Sequence, residues 1–323
     1  MSLDMETFYN TSYNVIVPPK IITYLLTFYI ISTNTPHSMR TFSRFLWNIL
    51  LWDFLIHVLW LGLHPFPMMP LVCFRLDGYL ASYFFSESFA HIFSAAYLTC
   101  CMNEGIAIFL SFQFRLFTSK YGSWSCSKIY VYAYCIALHM LLSSVFVWLN
   151  ASWSIPVEHY PEPIEPSERR NLFCYKPRTH EFQYFLLYFA AFLVLALCGI
   201  TILVVLSFRE VNKNRHLAGE KTAQMQASFL RSQVLLSCVP TIFGSVPYII
   251  ITSMLHFPDT SHARIIVIIC LLIASVYGPI MCTFAMILFK PYRRAVLRIL
   301  KNATNAVPFS LKTKHSVIAV QKL

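Results

Sequence analysis

The chain of 323 residues is 57% hydrophobic and only 12% charged, with a mean hydropathy of +0.58. Soluble domains carry about 25% charged residues, so a chain this poor in charge cannot clothe itself in polar surface, and a large soluble core is excluded. The formal charge of +11, from 25 Lys and Arg against 14 Asp and Glu, raises nucleic-acid binding, which the placement of those charges then excludes.

Residues 1–14 are polar and read as an extracellular N-terminus. They lack the basic and apolar regions of a cleavable signal and hold the sequon Asn10-Thr11-Ser12. Residues 15–32 are the first and weakest candidate span. Pro18, Pro19 and Lys20 interrupt it and leave only 21–32 as an unbroken apolar run, shorter than a span normally needs. Either the prolines occupy a first helical turn, where their missing N–H groups cost little, or the segment is incomplete. Residues 45–63 form a second span around Asp53, closed by the proline-rich HPFPMMP at 64–70. A long third span, 79–112, holds Glu87, His91 and Glu104 and ends at Gln113-Phe114-Arg115.

Residues 129–149 form the fourth span, ending in Trp148 at a position that suits an interfacial aromatic belt. A long loop rich in proline and glutamate follows, with a second sequon at Asn150. Residues 182–208 form the fifth span, then comes a polar, basic loop with Lys213, Arg215 and Arg231. The sixth span, 232–255, is broken by Pro240 and Pro247. Residues 265–289 form the seventh. They contain no charge and stop at Lys290-Pro291-Tyr292-Arg293-Arg294. Residues 290–323 read as a cytoplasmic amphipathic helix and tail. At 100° per residue Tyr292, Ala295, Val296 and Ile299 share one side, opposite Arg294, Arg298 and Lys301.

Charge placement orients these spans. With the C-terminus inside, only Lys20, Arg75, Arg169, Arg170, Lys176, Arg178 and Arg264 fall on the outer side. Every other Lys and Arg falls on the inner side, as the positive-inside rule requires. A nucleic-acid protein would gather its bases into one patch. Here they are sorted by side, so the basic balance reflects topology and attraction to anionic inner-leaflet lipid. The fold class is therefore an all-α membrane protein, a seven-transmembrane helix bundle with its N-terminus outside and its C-terminus cytoplasmic.

Charges and prolines inside spans are the chemistry-bearing positions. Asp53 reads either as a polar switch coupled to the seventh helix or as a structural hydrogen-bonding partner. Glu87 and His91, one turn apart, share a helix face and read either as a ligand-contacting pair in an outer cavity or as an interhelical pair. Glu104 reads as structural or switching. Pro240 and Pro247 remove backbone hydrogen bonds and kink the sixth helix, either statically or as a hinge. Cys73 and Cys174 lie outside the spans on the oxidising side and are expected to form a disulfide over the cavity. None of the ten cysteines has zinc-site spacing, and no metal or cofactor is expected. HExxH, GxSxG and paired intramembrane aspartates are all missing, which argues against an enzyme.

Several stretches resemble the nematode serpentine chemoreceptors of the Str superfamily, classes h and i. They are Lys221-Thr222-Ala223-Gln224-Met225-Gln226 with Phe229-Leu230-Arg231, Gln233, Pro240 and Pro247-Tyr248; Tyr277-Gly278 with Lys290-Pro291-Tyr292-Arg293; and Ser38-Met39 through Trp52-Asp53 to Pro65-Phe66-Pro67 and Pro70. The resemblance implies a G-protein-coupled chemosensory receptor in the plasma membrane of sensory cilia. It implies a small environmental molecule bound in an outer cavity, with Glu87, His91 and Tyr248 as contacts. Asp53, Glu104, Pro240, Pro247 and Tyr277 would form the switch, and Arg115, Lys213, Arg215 and Arg231 would meet a heterotrimeric G protein. The chain departs from the family pattern where Gln113 replaces an acid two residues before Arg115, and where Tyr277 replaces a histidine before Gly278. A ligand-gated channel or transporter is the alternative reading, although no internal repeat supports it.

Overall fold

The computed structural model describes residues 2–78, 80–84, 86–121, 128–165, 169–213 and 220–306. Seven helices there are long and apolar enough to cross a membrane. They are α1 (Ser2–Asn34), α2 (Arg40–Leu63), α3 (Glu87–Tyr121), α4 (Lys128–Trp153), α5 (His180–Lys213), α6 and α7 (Ala263–Leu288). The sixth is composite: Glu220–Pro240, a π-helical turn Thr241–Ser245, then Val246–His256, together called α6. An eighth helix, α8 (Lys290–Ala306), follows at one end.

Most helices overrun the apolar runs that announce them. An apolar run marks the hydrocarbon crossing, but helical hydrogen bonding continues through polar sequence until something breaks it. Hence α3 reaches Tyr121 and α5 reaches Lys213. The largest correction is α1. It starts at Ser2 and runs through Pro18 and Pro19, so residues 2–14 belong to the helix and the prolines do not interrupt the first span. A buried stripe holds it: Tyr9, Tyr13, Lys20, Tyr24, Thr27 and Ile31 recur at helical spacing and are all nearly inaccessible. Lys20, expected on the outer side, is one of them.

The third span also differs from its expected 79–112. A four-residue helical turn, Ala81–Phe84, precedes α3, which begins at Glu87. Glu87 is therefore the first residue of the helix and not two turns inside it.

The bundle carries an unforeseen sheet. The proline-rich α2–α3 loop supplies β1 (Pro65–Pro67) and β2 (Cys73–Leu76). The long α4–α5 loop supplies β3 (Ser154–Ile155) and β4 (Leu172–Tyr175). They pair antiparallel in the order β1-β2-β4-β3, with Cys73 opposite Cys174 and Phe74 opposite Phe173. Cys73 and Cys174 form a disulfide. The sheet closes one end of the bundle, called here the sheet end.

Two main clusters of buried side chains fill the bundle, one towards the sheet end around Trp60, Tyr97 and Phe146, one towards α8 around Tyr24, Leu46 and Phe289. α7 runs through both and is the most enclosed helix. Outward faces of α4 and α5 bear exposed Ile136, Met140, Leu141, Leu187, Val194 and Leu195. That much exposed apolar surface is what lipid covers. Tyr292 and Ala295 of α8 are buried, and the Tyr292 hydroxyl lies 3.0 Å from Thr35 Oγ1 at the end of α1. This is the apolar side expected from the periodicity, although Ile299 at its far end stays exposed.

Candidate functional site

A cavity of about 520 Å³ lies inside the bundle below the sheet. That is within the ordinary range for small-molecule sites, roughly 300–1,000 Å³. α3 contributes Tyr97 and Cys101, α5 contributes Phe189 and Phe192, and α6 contributes Thr241 and Tyr248. Trp153, Phe173 and Tyr175 roof it from the sheet end. Its wall is apolar and aromatic because α5 places Phe185, Phe189 and Phe192 at one-turn intervals on its inward face and α3 adds Tyr97 among small and aliphatic residues. Among the lining residues only Glu104 bears an ionisable carboxyl, and none is basic. The Tyr277 hydroxyl donates to Glu104 Oε2 at 2.7 Å, while Oε1 is buried without a hydrogen-bond partner. The Tyr248 hydroxyl is buried on the cavity wall without a hydrogen-bond partner, a state that costs free energy until something bonds it.

The roof is fastened on several sides. Glu87 Oε1 accepts from the Val157 N–H at 2.7 Å, tying the start of α3 to the long loop. The Tyr175 and Ser94 hydroxyls lie 2.8 Å apart. Trp153 stacks on Tyr175 and Phe182 and donates from Nε1 to the Lys176 carbonyl at 2.8 Å. The Tyr9 hydroxyl donates to the Pro65 carbonyl at 3.1 Å, and Arg264 reaches the Met69 carbonyl. Arg75 forks onto Asp77, reaches Glu6 of α1 and lies 5.1 Å over the Phe66 ring. The Asp77 hydrogen bonds hold its guanidinium charged even more firmly than usual.

His64, just past α2, stacks 4.0 Å from Tyr13 and 4.8 Å from Tyr9. Burial lowers its pKa from 6.5 to about 4, against the opposing pull of Asp77.

Of the three expected ligand contacts, Tyr248 lines the cavity, whereas Glu87 and His91 do not. Glu87 belongs to the roof fastening. His91 lies edge-on to Phe173 and Tyr175, beneath the sheet. Helical spacing correctly put the two on one face, but the sheet occupies the space that face would have offered to a ligand.

The expected switch residues gather deeper in the bundle. Asp53 is fully buried, with Oδ1 3.3 Å from His57 Nδ1. The Tyr24 hydroxyl is 2.9 Å from the same nitrogen. The His57 ring lies 5.1 Å from that of Tyr277, which leads to Glu104 and the cavity. Lys20 reaches the neighbourhood of Asp53 from α1. Asp53, Glu104 and Tyr277, joined by Tyr24, Lys20 and His57, thus form one polar patch across α1, α2, α3 and α7. Tyr24, His57 and Lys20 were missed, although the α1 stripe and the spacing of four between Asp53 and His57 signalled them. Pro240 immediately precedes the π turn and Pro247 follows it, so both bear on the same irregularity in α6.

Towards α8, Arg115 is half-buried. Its Nη2 donates to the Gln226 carbonyl of α6 at 2.6 Å and its guanidinium sits 4.6 Å over the Phe229 ring. Nearby, Gln233 Nε2 donates to Ser111 Oγ at 2.9 Å. Lys213 and Arg231 are exposed at this end, and Arg215 lies outside the described residues.

Of the two sequons, Asn10 sits within α1 with its Oδ1 buried, and the Asn150 side chain is 1% exposed with its Nδ2 enclosed, so attachment at Asn150 would need that side chain released from the packing. Among the described residues no group of His, Cys, Asp and Glu is arranged to hold a metal ion.

The family described as serpentine type 7TM GPCR chemoreceptor Srh matches residues 4–302 of the chain. Among solved structures, squid rhodopsin superposes with a TM-score of 0.55 at 12% identity, covering 95% of this chain and 89% of that one. At that identity the likeness concerns the fold, a seven-helix receptor bundle. A comparison with curated proteins gives no match.

Proposed function

The chain belongs to the Srh family of serpentine seven-transmembrane chemoreceptors, and from that premise we propose that it detects a small environmental molecule and signals through a heterotrimeric G protein from the plasma membrane. The sheet end faces the outside and α8 lies on the cytoplasmic leaflet, in keeping with the positive-inside distribution of Lys and Arg. The cavity is the ligand site, and it is the one observation that carries the reading: apolar, sized for a small molecule, roofed by the sheet, and reaching Tyr277 and Glu104. A ligand there contacts α3, α5, α6 and α7 together. It shifts the receptor only by binding one arrangement of those helices better than another.

Two features support α6 as the moving element. Its hydrogen-bond ladder is interrupted by the π turn Thr241–Ser245 at the level of the cavity, the kind of break where a helix bends. Its cytoplasmic end is held to α3 by Arg115 and Gln233. Releasing those contacts would open a surface bordered by Lys213 and Arg231 for the G protein.

The test uses cells bearing the receptor and a G-protein reporter, exposed to panels of volatile and water-soluble compounds. The expected result is a response to uncharged, largely apolar compounds that disappears in Gly244→Leu. Gly244 lines the cavity and a Cβ there meets nothing within 4 Å, so the larger side chain is expected to take up ligand space. A receptor present at the surface and silent to every compound would refute the proposal.

A further inference from the structure

The cavity wall is incomplete on one side, and that side faces lipid. Leu197 and Thr201 on α5 and Cys238 and Ile242 on α6 line the cavity and are at the same time exposed on the outside of the bundle. All other lining residues are buried or half-buried. The opening is therefore a seam between α5 and α6. Leu197 and Thr201 fall near the middle of the span His180–Lys213, and Cys238 and Ile242 near the middle of Gln224–His256, so the seam lies in the hydrocarbon core.

The seam coincides with the π turn, where α6 is widened and Gly244 leaves open space. The opposite approach, from water, meets the four-stranded sheet. Phe173, Tyr175 and Trp153 there are at most 3% exposed, and the disulfide and the ties to α1, α3 and α7 hold the sheet down.

We propose that ligand enters this cavity sideways from the bilayer, through a portal between α5 and α6 framed by Leu197, Thr201, Cys238 and Ile242, and that the ligands are uncharged lipophilic molecules that first dissolve in the membrane. The inference rests on the reading of the cavity as the ligand site. The seam offers no charged group to a passing molecule and no water to keep one solvated, so an ion is excluded from this route. A lipophilic compound is instead concentrated at the entrance, since each methylene raises its bilayer-to-water ratio about fourfold.

The experiment uses the full chain in lipid nanodiscs and the photoreactive alkanol 3-azioctanol as probe. Rapid mixing followed by flash photolysis at increasing delays, with adducts located by mass spectrometry, gives the rate and plateau of cavity labelling at Tyr97 and Tyr248. Thr201→Trp and Ile242→Trp narrow the seam from its lipid face, where an indole is accommodated. Leu187→Trp, on the lipid face of α5 away from the seam, is the control. The expected result is that the two seam variants slow both labelling and its loss after dilution of the probe, roughly tenfold or more, the factor that steric overpacking puts on a rate. The control should match the native chain.

Native-rate labelling in both seam variants would overturn the portal while leaving the cavity intact, most directly if Glu87→Ala, which unfastens the roof, sped labelling instead. Slowed labelling with native-rate loss after dilution would also overturn it, because a narrowed passage delays exit as well as entry. Non-saturable labelling of the native cavity would remove the ligand site itself and the portal with it.

Discussion

Replacing Arg115 by Ala should release α6 from α3 at the α8 end. The structure gives the size of the effect. A hydrogen bond from a charged donor contributes about 1.5–3 kcal/mol, and the Arg115 contact with the Gln226 carbonyl, at 2.6 Å, is one. The guanidinium over Phe229 adds about 0.5–1 kcal/mol at a half-exposed site. Some of this is recovered when water bonds the freed carbonyl, which leaves about 2–3 kcal/mol favouring the closed arrangement. That corresponds to a shift of about 30- to 150-fold in the ratio of open to closed receptor. Nitroxide labels on α3 and α6 near their α8 ends, read by double electron–electron resonance in nanodiscs, should show a larger long-distance population in Arg115→Ala. Ligand-free nucleotide exchange by the G protein should rise in parallel. Arg115→Lys should fall between the two, since the ammonium keeps the charge but loses the planar face that stacks on Phe229. Unchanged distances and unchanged basal exchange in a variant that melts normally would refute the argument, and the α3–α6 restraint would have to lie elsewhere.

Two further predictions concern packing and pH. Gly278→Ala should be severely destabilising, by about 2–3 kcal/mol or more, because its Cβ would lie 2.1 Å from the Tyr24 hydroxyl and 2.5 Å from the His57 ring; Gly244→Ala, entering open space, should melt like the native chain, and equal melting temperatures for the two would refute the packing. Stability should fall on acidification in a window set by His64. The fold keeps this ring neutral with a pKa of about 4 against 6.5 free, so its contribution is whole above pH 6.5 and is lost as the pH drops towards 4. The loss is at most about 3 kcal/mol. Tyr9, Tyr13 and Asp77 are the groups that face it. The melting temperature of His64→Phe should depend less on pH between 7 and 4.5 than that of the native chain, and equal slopes would refute the assignment.

The seven crossings were legible because each is a local property. An apolar run long enough for the hydrocarbon core specifies a helix wherever it stands, and the basic stops sort by side. The pairing of Cys73 with Cys174 was legible for a similar reason, since compartment and exclusion from the spans left those two. The polar patch was half legible: Asp53 and Glu104 stand out as charges in greasy sequence, whereas Tyr24 and His57 do not. α1 misled because Pro18, Pro19 and Lys20 lower its hydropathy. What holds it is the stripe from Tyr9 to Ile31, visible only when the chain is read at helical spacing across the prolines.

Composition and the order of the residues already dictated a seven-helix membrane bundle, because burying apolar surface and satisfying the backbone within each span are matters settled inside one segment. The tertiary structure decided everything that depends on two segments meeting. It put the sheet where Glu87 and His91 would have met a ligand, enclosed Asn150, bound Arg115 to a carbonyl 111 residues away, and left a gap between α5 and α6. These are outcomes of packing, in which a side chain's role is set by neighbours distant in sequence, and no reading of one segment at a time contains them.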